Sequence, residues 1–261
     1  MKDALRQACE RLGFAAFGVA GADIAPPFAP PRVPDMPWLD RRKTVREYFP
    51  EAASVIAVLY NSRLPDSGGA PPIAAHARAA DYHVVIKEKL ERLAAEFPSL
   101  APYRICVDTA PVREKPVAVA AGLGWQGRNT LLINDKIGAW GLLGLLLTAA
   151  PLPPDAPAAN ACPPGCDACA RACPTGALDG RGGLDIPRCT AYQTIESKAE
   201  TIAPTHSVYG CDLCLAACPL SRRAPANPER KPLDGQPWEA YYFVKRLGKK
   251  RLERNLCALS R

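Results

Sequence analysis

A nine-residue pattern is written twice into this chain, as Cys166-Asp-Ala-Cys-Ala-Arg-Ala-Cys-Pro174 and as Cys211-Asp-Leu-Cys-Leu-Ala-Ala-Cys-Pro219. Both copies read C-D-x-C-x-x-A-C-P. Cys162 and Cys189 stand near them, which puts eight thiols within 57 residues. A cubane [4Fe–4S] cluster needs four thiolates at the corners of a tetrahedron, and a duplicated frame ending in Cys-Pro supplies two such sets. The C-x-x-C turns aim neighbouring thiols at one cluster, whereas the cysteine before proline is drawn away and ligates the other. Pro174 and Pro219 cannot continue a helix, so each stops it just past the ligand. The expected sets are Cys162, Cys166, Cys169 and Cys218 for the first cluster, and Cys189, Cys211, Cys214 and Cys173 for the second. Cys162 is the irregular member, because three residues separate it from Cys166 where two are usual. Paired C-x-x-C is also a zinc signature; the Cys-Pro ends and the crossed duplication favour iron–sulfur. Cys9, Cys106 and Cys257 have no partners in sequence and are expected to be ordinary buried thiols.

Eleven cysteines in 261 residues would also suit a secreted disulfide protein, but the thiols are clustered rather than spread and the chain is large enough not to need staples. It opens on Met1-Lys-Asp-Ala-Leu-Arg, a charged amphipathic helix rather than a signal peptide. A reducing cytoplasm is the expected compartment. The apolar run from Ile137 to Leu152 is shorter than a membrane span and is broken by Gly138, Gly141 and Gly144, so it reads as a buried strand or helix and no membrane is expected. The net charge of +7 is local: residues 221–261 carry it all, and the first 220 residues are neutral. A basic end points to a polyanion such as RNA, or is simply a solvated helix face.

Before residue 150 the pattern alternates. Residues 3–12 read as a helix, Phe14 to Val19 as a strand, 25–37 as a Pro-rich loop and Trp38 to Tyr48 as a helix. Ser54 to Tyr60 is a strong buried strand, followed by a Gly/Pro loop over 61–74. Residues 78–97 form a helix with Val84, Val85, Leu90, Leu93 and Ala94 on one face. Arg104 to Val107 is a strand that delivers Asp108, Lys115 to Leu123 a helix, and Thr130 to Ile133 a strand. This is an α/β (α+β) domain. A Pro/Ala linker at 151–161 marks its boundary, the cysteine module runs to about residue 232, and Glu239 to Leu259 is a basic amphipathic helix. Neither a P-loop nor a G-x-G-x-x-G after a strand is present, so nucleotide, flavin and nicotinamide have no motif support.

Asp108 sits at a strand end, before Pro111 and beside an apolar wall. A carboxyl in such a pocket has its pKa raised and can hold a proton at neutral pH; an Asx turn is the plainer reading. His83 lies on a helix, where a structural hydrogen bond is the commoner role. Gly122 to Gly127 form a turn that lets backbone approach a large flat ligand, with Arg128 and Asn129 just beyond.

Six stretches, ordered along most of the chain, resemble the epoxyqueuosine reductase family: Asp81-Tyr-His83, Val107-Asp-Thr-Ala-Pro-Val112, Ala121-Gly-Leu-Gly-Trp-Gln-Gly-Arg-Asn129, the Cys-Pro-Thr-Gly-Ala-Leu run at 173–178, Cys189-Thr-Ala-Tyr-Gln-Thr-Ile-Glu196 and Tyr209-Gly-Cys-Asp-Leu-Cys214. The resemblance implies a nitroreductase-like, corrinoid-binding domain over 1–155, a bacterial double-[4Fe–4S] ferredoxin-like domain over 156–232 and a basic helical tail over 233–261. It implies cobalamin, as cob(II)alamin, beside Asp108 as catalytic acid. His83, Arg128, Asn129, Leu132 and Thr190 are then candidate cofactor contacts, and Lys198 a substrate contact. The family's Cys-x-Ser-Tyr is written here Cys189-Thr-Ala-Tyr192, so the hydroxyl expected there is absent or moved to Thr190. Full-length members continue past an Arg-Asn…Ala-Leu segment into helical repeats that help hold tRNA. Here that segment is Arg254 to Ser260 and the sequence stops at Arg261, so a short form without those repeats is expected. The implied activity is reduction of epoxyqueuosine in tRNA, or of a related carbon–oxygen or carbon–halogen bond, fed by a flavodoxin- or ferredoxin-type donor. A ferredoxin-like electron carrier, or a corrinoid-reducing partner without substrate chemistry, is the rival reading.

Anaerobic reconstitution with iron and sulfide is expected to give about eight irons per chain. Metal analysis that finds zinc and no sulfide would overturn the cluster reading.

Overall fold

The structure is a computed structural model and describes residues 1–24, 36, 41–65 and 72–259. Most of the Pro-rich stretch, the start of the predicted Trp38 helix and the tip of the 61–74 loop lie outside the described residues. Of that helix the described part is α2 (Val45–Tyr48), closed by a capping box in which Thr44 and Glu47 bond each other's backbone N–H.

The sheet follows from two runs. Every residue of Ser54–Asn61 is buried, and a strand hidden on both faces takes the centre of a sheet. With β1 (Ala16–Gly21), β2 (Ser54–Asn61), β3 (Tyr103–Cys106), a short hairpin of β4 (Trp125–Gln126) and β5 (Leu132–Ile133), and β6 (Gly141–Thr148), the main sheet runs β1-β2-β6-β3. Each pairing in it is antiparallel, with Ser54 opposite both Gly21 and Thr148. The apolar run after Ile137 is therefore a strand. The period of two sorts β2 between two cores. Val55, Ala57 and Leu59 join Leu145, Leu147 and, from α4 (Glu114–Ala120), Val117 and Ala118. Ile56, Val58 and Tyr60 face Leu5, Ala8 and Cys9 of α1 (Lys2–Arg11) and Ile86, Leu90 and Leu93 of α3 (Tyr82–Glu96). The result is three layers, helix–sheet–helix, each fully buried Leu or Ile adding about 1.5–3 kcal/mol.

Several boundaries differ from the sequence reading for local reasons. Helix α3 begins at Tyr82 rather than at residue 78, because the Asp81 carboxylate accepts the His83 N–H as its N-cap. Its buried stripe is Ile86, Leu90, Leu93 and Ala94, and Val84, expected inside, is 50% exposed. Strand β5 starts two residues later than expected, after Thr130 takes a left-handed φ of 64°. Gly18 in β1 leaves no room for a Cβ, which would strike the Ala121 carbonyl at the end of α4.

The cysteine module carries short helices: α5 (Ala168–Arg171), α6 (Thr190–Ile195), α7 (Leu213–Ala216) and α8 (Pro219–Arg223). The linker before it is fastened rather than loose. Asp155 accepts the Val19 N–H at 2.9 Å, donates its own N–H to Val19 O at 2.8 Å and pairs with Lys2 at 2.8 Å. The tail is not one continuous helix from Glu239. A 3-10 turn at Trp238–Ala240 precedes α9 (Phe243–Leu259), which breaks at Gly248, φ 71°. It packs on the module: Arg254 donates to the carbonyls of Gln193, Ser197 and Ala199. Asn255, wholly buried, donates to Thr194 O and Val208 O, both at 2.8 Å. Cys9 and Cys106 are buried thiols pushed up to about 12 by burial, whereas Cys257 is exposed, on the outer side of α9. Among the described residues no helix is long and apolar enough to cross a membrane.

Replacing Asn255 with Leu would strand two buried carbonyls, each loss worth about 1–3 kcal/mol. Asn255→Leu is expected to lower unfolding stability by about 2–4 kcal/mol in a urea titration; an unchanged midpoint would show that the tail does not stabilise the module.

Candidate active site

The end of β3 and the start of α3 bring an imidazole between two carboxylates. Asp81 Oδ1 lies 2.7 Å from His83 Nδ1, and His83 Nε2 lies 3.3 Å from Asp108 Oδ2. Tyr82 stacks on the His83 ring at 3.9 Å. Asp108 has a φ of 55°, a backbone state that non-glycine residues rarely adopt and that clusters at functional sites. The turn after it is locked from two sides. Arg42 donates to the carbonyls of Asp108, Ala110 and Val112 at 3.0, 2.8 and 2.7 Å. Glu114, opening α4, accepts the Asp108 N–H at 2.7 Å.

These contacts reverse one expectation. The His83 hydrogen bond outweighs burial and lowers the Asp108 pKa, so Asp108 is not held protonated by an apolar wall. Burial opposes charge on His83, but the bonds to Asp108 and Asp81 win and raise its pKa. Both shifts favour the proton on the imidazole over the Asp108 carboxyl. The carboxyl that burial does raise, helped by the Asp108 charge, is Glu114, at about 7.

Asp108 opens onto a cleft of about 680 Å³. Thr109, Ala110 and Pro111 line it from the β3 side, Glu196 and Lys198 from beyond α6, and Arg246 and Arg251 from α9. Arg246 pairs with Glu196 at 2.7 Å. Lys198 and Asp108 thus share one cavity. The other sequence candidates lie elsewhere among the described residues. Arg128 donates to Cys166 O at 2.6 Å and Asn129 to Cys214 O at 3.5 Å, which puts both at the seam with the cysteine module. Leu132 is in the core beside Leu123 and Val117. Thr190 is buried directly after Cys189, its carbonyl bonded by Thr194 Oγ1.

The thiols gather in two places. Cys162, Cys166, Cys169 and Cys218 line one small pocket with Gly127, Arg128 and Ile133. Burial pushes Cys214 up to about 12, and nearby Cys211, Cys189, Cys169 and Cys173 add to the rise. The two places therefore approach each other at Cys169 and Cys214, where α5 packs on α7. Among the described residues no three His, Cys, Asp or Glu side chains converge as on a single ion; the first set instead rings a pocket, as a larger group requires.

Sequence reasoning missed Glu114, Arg42, Arg246 and the capping role of Asp81. Asp81 was visible as Asp-Tyr-His; the other three come from distant segments and carry no local signal.

An imidazole–carboxylate array on an open cleft, backed by two gathered thiol sets, defines an iron–sulfur oxidoreductase. Residues 161–221 match the 4Fe-4S double cluster binding domain, and residues 42–109 match the family model described as Epoxyqueuosine reductase QueG, DUF1730. The epoxyqueuosine reductase of a Synechococcus strain is 36% identical over 255 residues, covering 89% of this chain and 80% of that protein. Those of Shewanella oneidensis and Vibrio cholerae are 33% and 35% identical, and the chain spans 63% and 58% of their lengths. A solved epoxyqueuosine reductase with an epoxyqueuosine-modified tRNA-Tyr stem loop matches at 25% identity and a TM-score of 0.80, over 98% of this chain and 80% of that one. A catabolic reductive dehalogenase shares the fold at 19% identity and a TM-score of 0.59, over 84% of this chain and 32% of that one. The chain belongs to the epoxyqueuosine reductase family.

Asp108→Asn removes the charge that raises His83. An NMR titration of the His83 ring is expected to show its pKa falling, since burial then dominates; an unmoved pKa would mean that the pair is not coupled.

Proposed function

We propose that this chain reduces the epoxide of epoxyqueuosine in tRNA to give queuosine, with two [4Fe–4S] clusters and cobalamin. Family membership carries this reading, together with the position of the Asp81–His83–Asp108 array on a cleft that borders the cysteine module. The division proposed is a nitroreductase-like, corrinoid-binding part over 1–155, a ferredoxin-like part over 156–232 and a tail over 233–261. The cluster ligands are the two crossed sets, and the shared pocket of Cys162, Cys166, Cys169 and Cys218 supports including Cys162 despite its irregular spacing. Such an enzyme works in the cytoplasm, where its thiolates stay reduced and tRNA is available. A flavodoxin- or ferredoxin-type protein serves as its donor.

Removing an epoxide oxygen as water takes two electrons and two protons. Cobalamin, when bound, supplies a strongly reducing, nucleophilic metal centre. The cleft suits it and the substrate in two respects: it is open enough for a broad ligand, and Arg41, Lys198, Arg246 and Arg251 line it with cations that suit phosphate. The residues' own work is proton delivery. Protonated His83 passes its proton through Asp108 to the leaving oxygen, while Asp81 holds the imidazole by Nδ1 and Arg42 holds the Asp108 turn. Arg128 and Asn129 act at the seam, fixing the module against this domain.

The pH dependence has a definite sign. His83 is charged below its raised pKa and neutral above it, so the single-turnover rate is expected to fall as pH rises through that value. Asp108→Asn is expected to cut epoxide reduction by about 10²–10⁴-fold with iron content and retained cobalamin unchanged. Undiminished turnover in that variant would remove Asp108 from the chemistry, whereas a wild-type protein that passes electrons without any epoxide turnover would leave an electron carrier.

A further inference from the structure

The chain has three histidines, and one of them stands where proton delivery has no use for it. His206 Nε2 lies 3.2 Å from the sulfur of Cys211. The loop that carries it is pinned on both sides. Thr205 N donates to Ala258 O at 3.2 Å, Val208 N to Pro72 O at 2.7 Å, and Ser207 Oγ to Pro72 O at 3.0 Å. Asn255 of α9 holds Val208 O as well, at 2.8 Å. Tertiary structure thus fixes the backbone on both sides of His206, whose exposed ring reaches the sulfur.

The second thiol set receives further donors at Cys173, from Thr175 Oγ1 at 3.4 Å and Ala177 N at 3.3 Å. The duplication has no counterpart to His206: five residues before Cys166 stands Ala161, whose side chain donates nothing. The second set is also the one beside the cleft. Cys189 caps α6, whose end carries Glu196, and Gly210, next to Cys211, lies against the His76 ring. A donor dipole aimed at a cluster sulfur favours the state with one more negative charge, so it raises the reduction potential.

We propose that His206 donates its Nε2–H to the Cys211 thiolate, sets the second cluster at a higher potential than the first, and so directs electrons toward the Asp108 cleft. The proposal rests on the two-cluster reading. The event it favours is the loss of one electron by the first cluster and its gain by the second. No bond is made or broken and no proton moves; the electron enters from a one-electron reductant of flavodoxin or ferredoxin type, or from dithionite in vitro.

The test is an EPR-monitored redox titration of the reconstituted full chain with dithionite, alongside an iron count. Wild type is expected to show about eight irons and two midpoints. His206→Leu, which removes the donor, is expected to keep the iron and lower only the higher midpoint; His206→Gln, which restores an N–H, should recover part of the shift. Unmoved midpoints, or movement of the lower one, would overturn the proposal. If His206→Leu loses iron, His206→Phe repeats the measurement with a ring that has no donor. If both lose iron and His206→Gln retains it, His206 holds the cluster rather than tuning it, and the proposal fails. Wild type without iron would instead sink the cluster reading itself.

Discussion

A carboxylate in the second cysteine motif ties the cysteine module to the segment that leads into α3. Asp212, the D of C-D-x-C, accepts the Ala75 N–H at 2.6 Å. Burial raises that carboxyl to about 6, with the Ala75 bond and the charges of Arg78 and Arg230 pulling it back down. Arg230 is buried on the same segment and donates to the carbonyls of Ala75 and His76. Arg78 pairs with Asp234, and Ala74 N donates to Tyr209 O at 2.9 Å. Residues 73–80 are thus gripped by groups from the module and the tail, and they lead directly into Asp81 and His83. Breaking one partner of such a buried set leaves the other charge uncompensated, which costs more than the pair contributes when intact. The position of Asp81 and His83 at the start of α3 therefore depends on an intact module.

The electrostatics of the site follow from crowding. Asp81, Asp108 and Glu114 surround a single imidazole, and three charged carboxylates there would repel one another. The hydrogen bonds to Asp108 and Asp81 raise the His83 pKa, and burial with the Asp108 charge raises Glu114 to about 7. A cofactor that gained an electron beside these groups would make the region more negative and would favour proton uptake by them.

What was legible in the sequence was what is local. The cysteine frame declares itself through spacing, the central strand through a run of buried residues, and Asp108 through its position after a strand. The pKa of Asp108 was misjudged because the deciding group, His83, lies 25 residues away and meets it only in the fold. Val84 was grouped with Leu90 although about 100° per residue turns it well away from the stripe of Ile86, Leu90, Leu93 and Ala94 that is buried. Arg128 and Asn129 follow a Gly-rich turn that looks suited to a flat ligand. Their partners, the carbonyls of Cys166 and Cys214, belong to a segment whose docking no local pattern encodes.

The basic tail illustrates the same limit most fully. Read as sequence, its charge looks like an appended arm for a polyanion. In the fold, Arg254 ties down the end of α6 and Arg251 bonds Ile195 O at 2.9 Å. Arg246 reaches Glu196 at the cleft. Phe243 stacks on Tyr209 at 4.2 Å, one residue before the Gly-Cys step of the second motif. The tail's arginines thus build one wall of the site, while Lys245, Lys249 and Lys250 stay exposed on the outside. A wall made of arginine is itself a means of recognition. Arg246 is oriented by its ion pair with Glu196 and Arg251 by the Ile195 carbonyl, and both line the same cavity as Lys198 and Asp108. An anionic substrate entering there meets charges already held in place, so less side-chain entropy is lost on binding than at a flexible lysine arm.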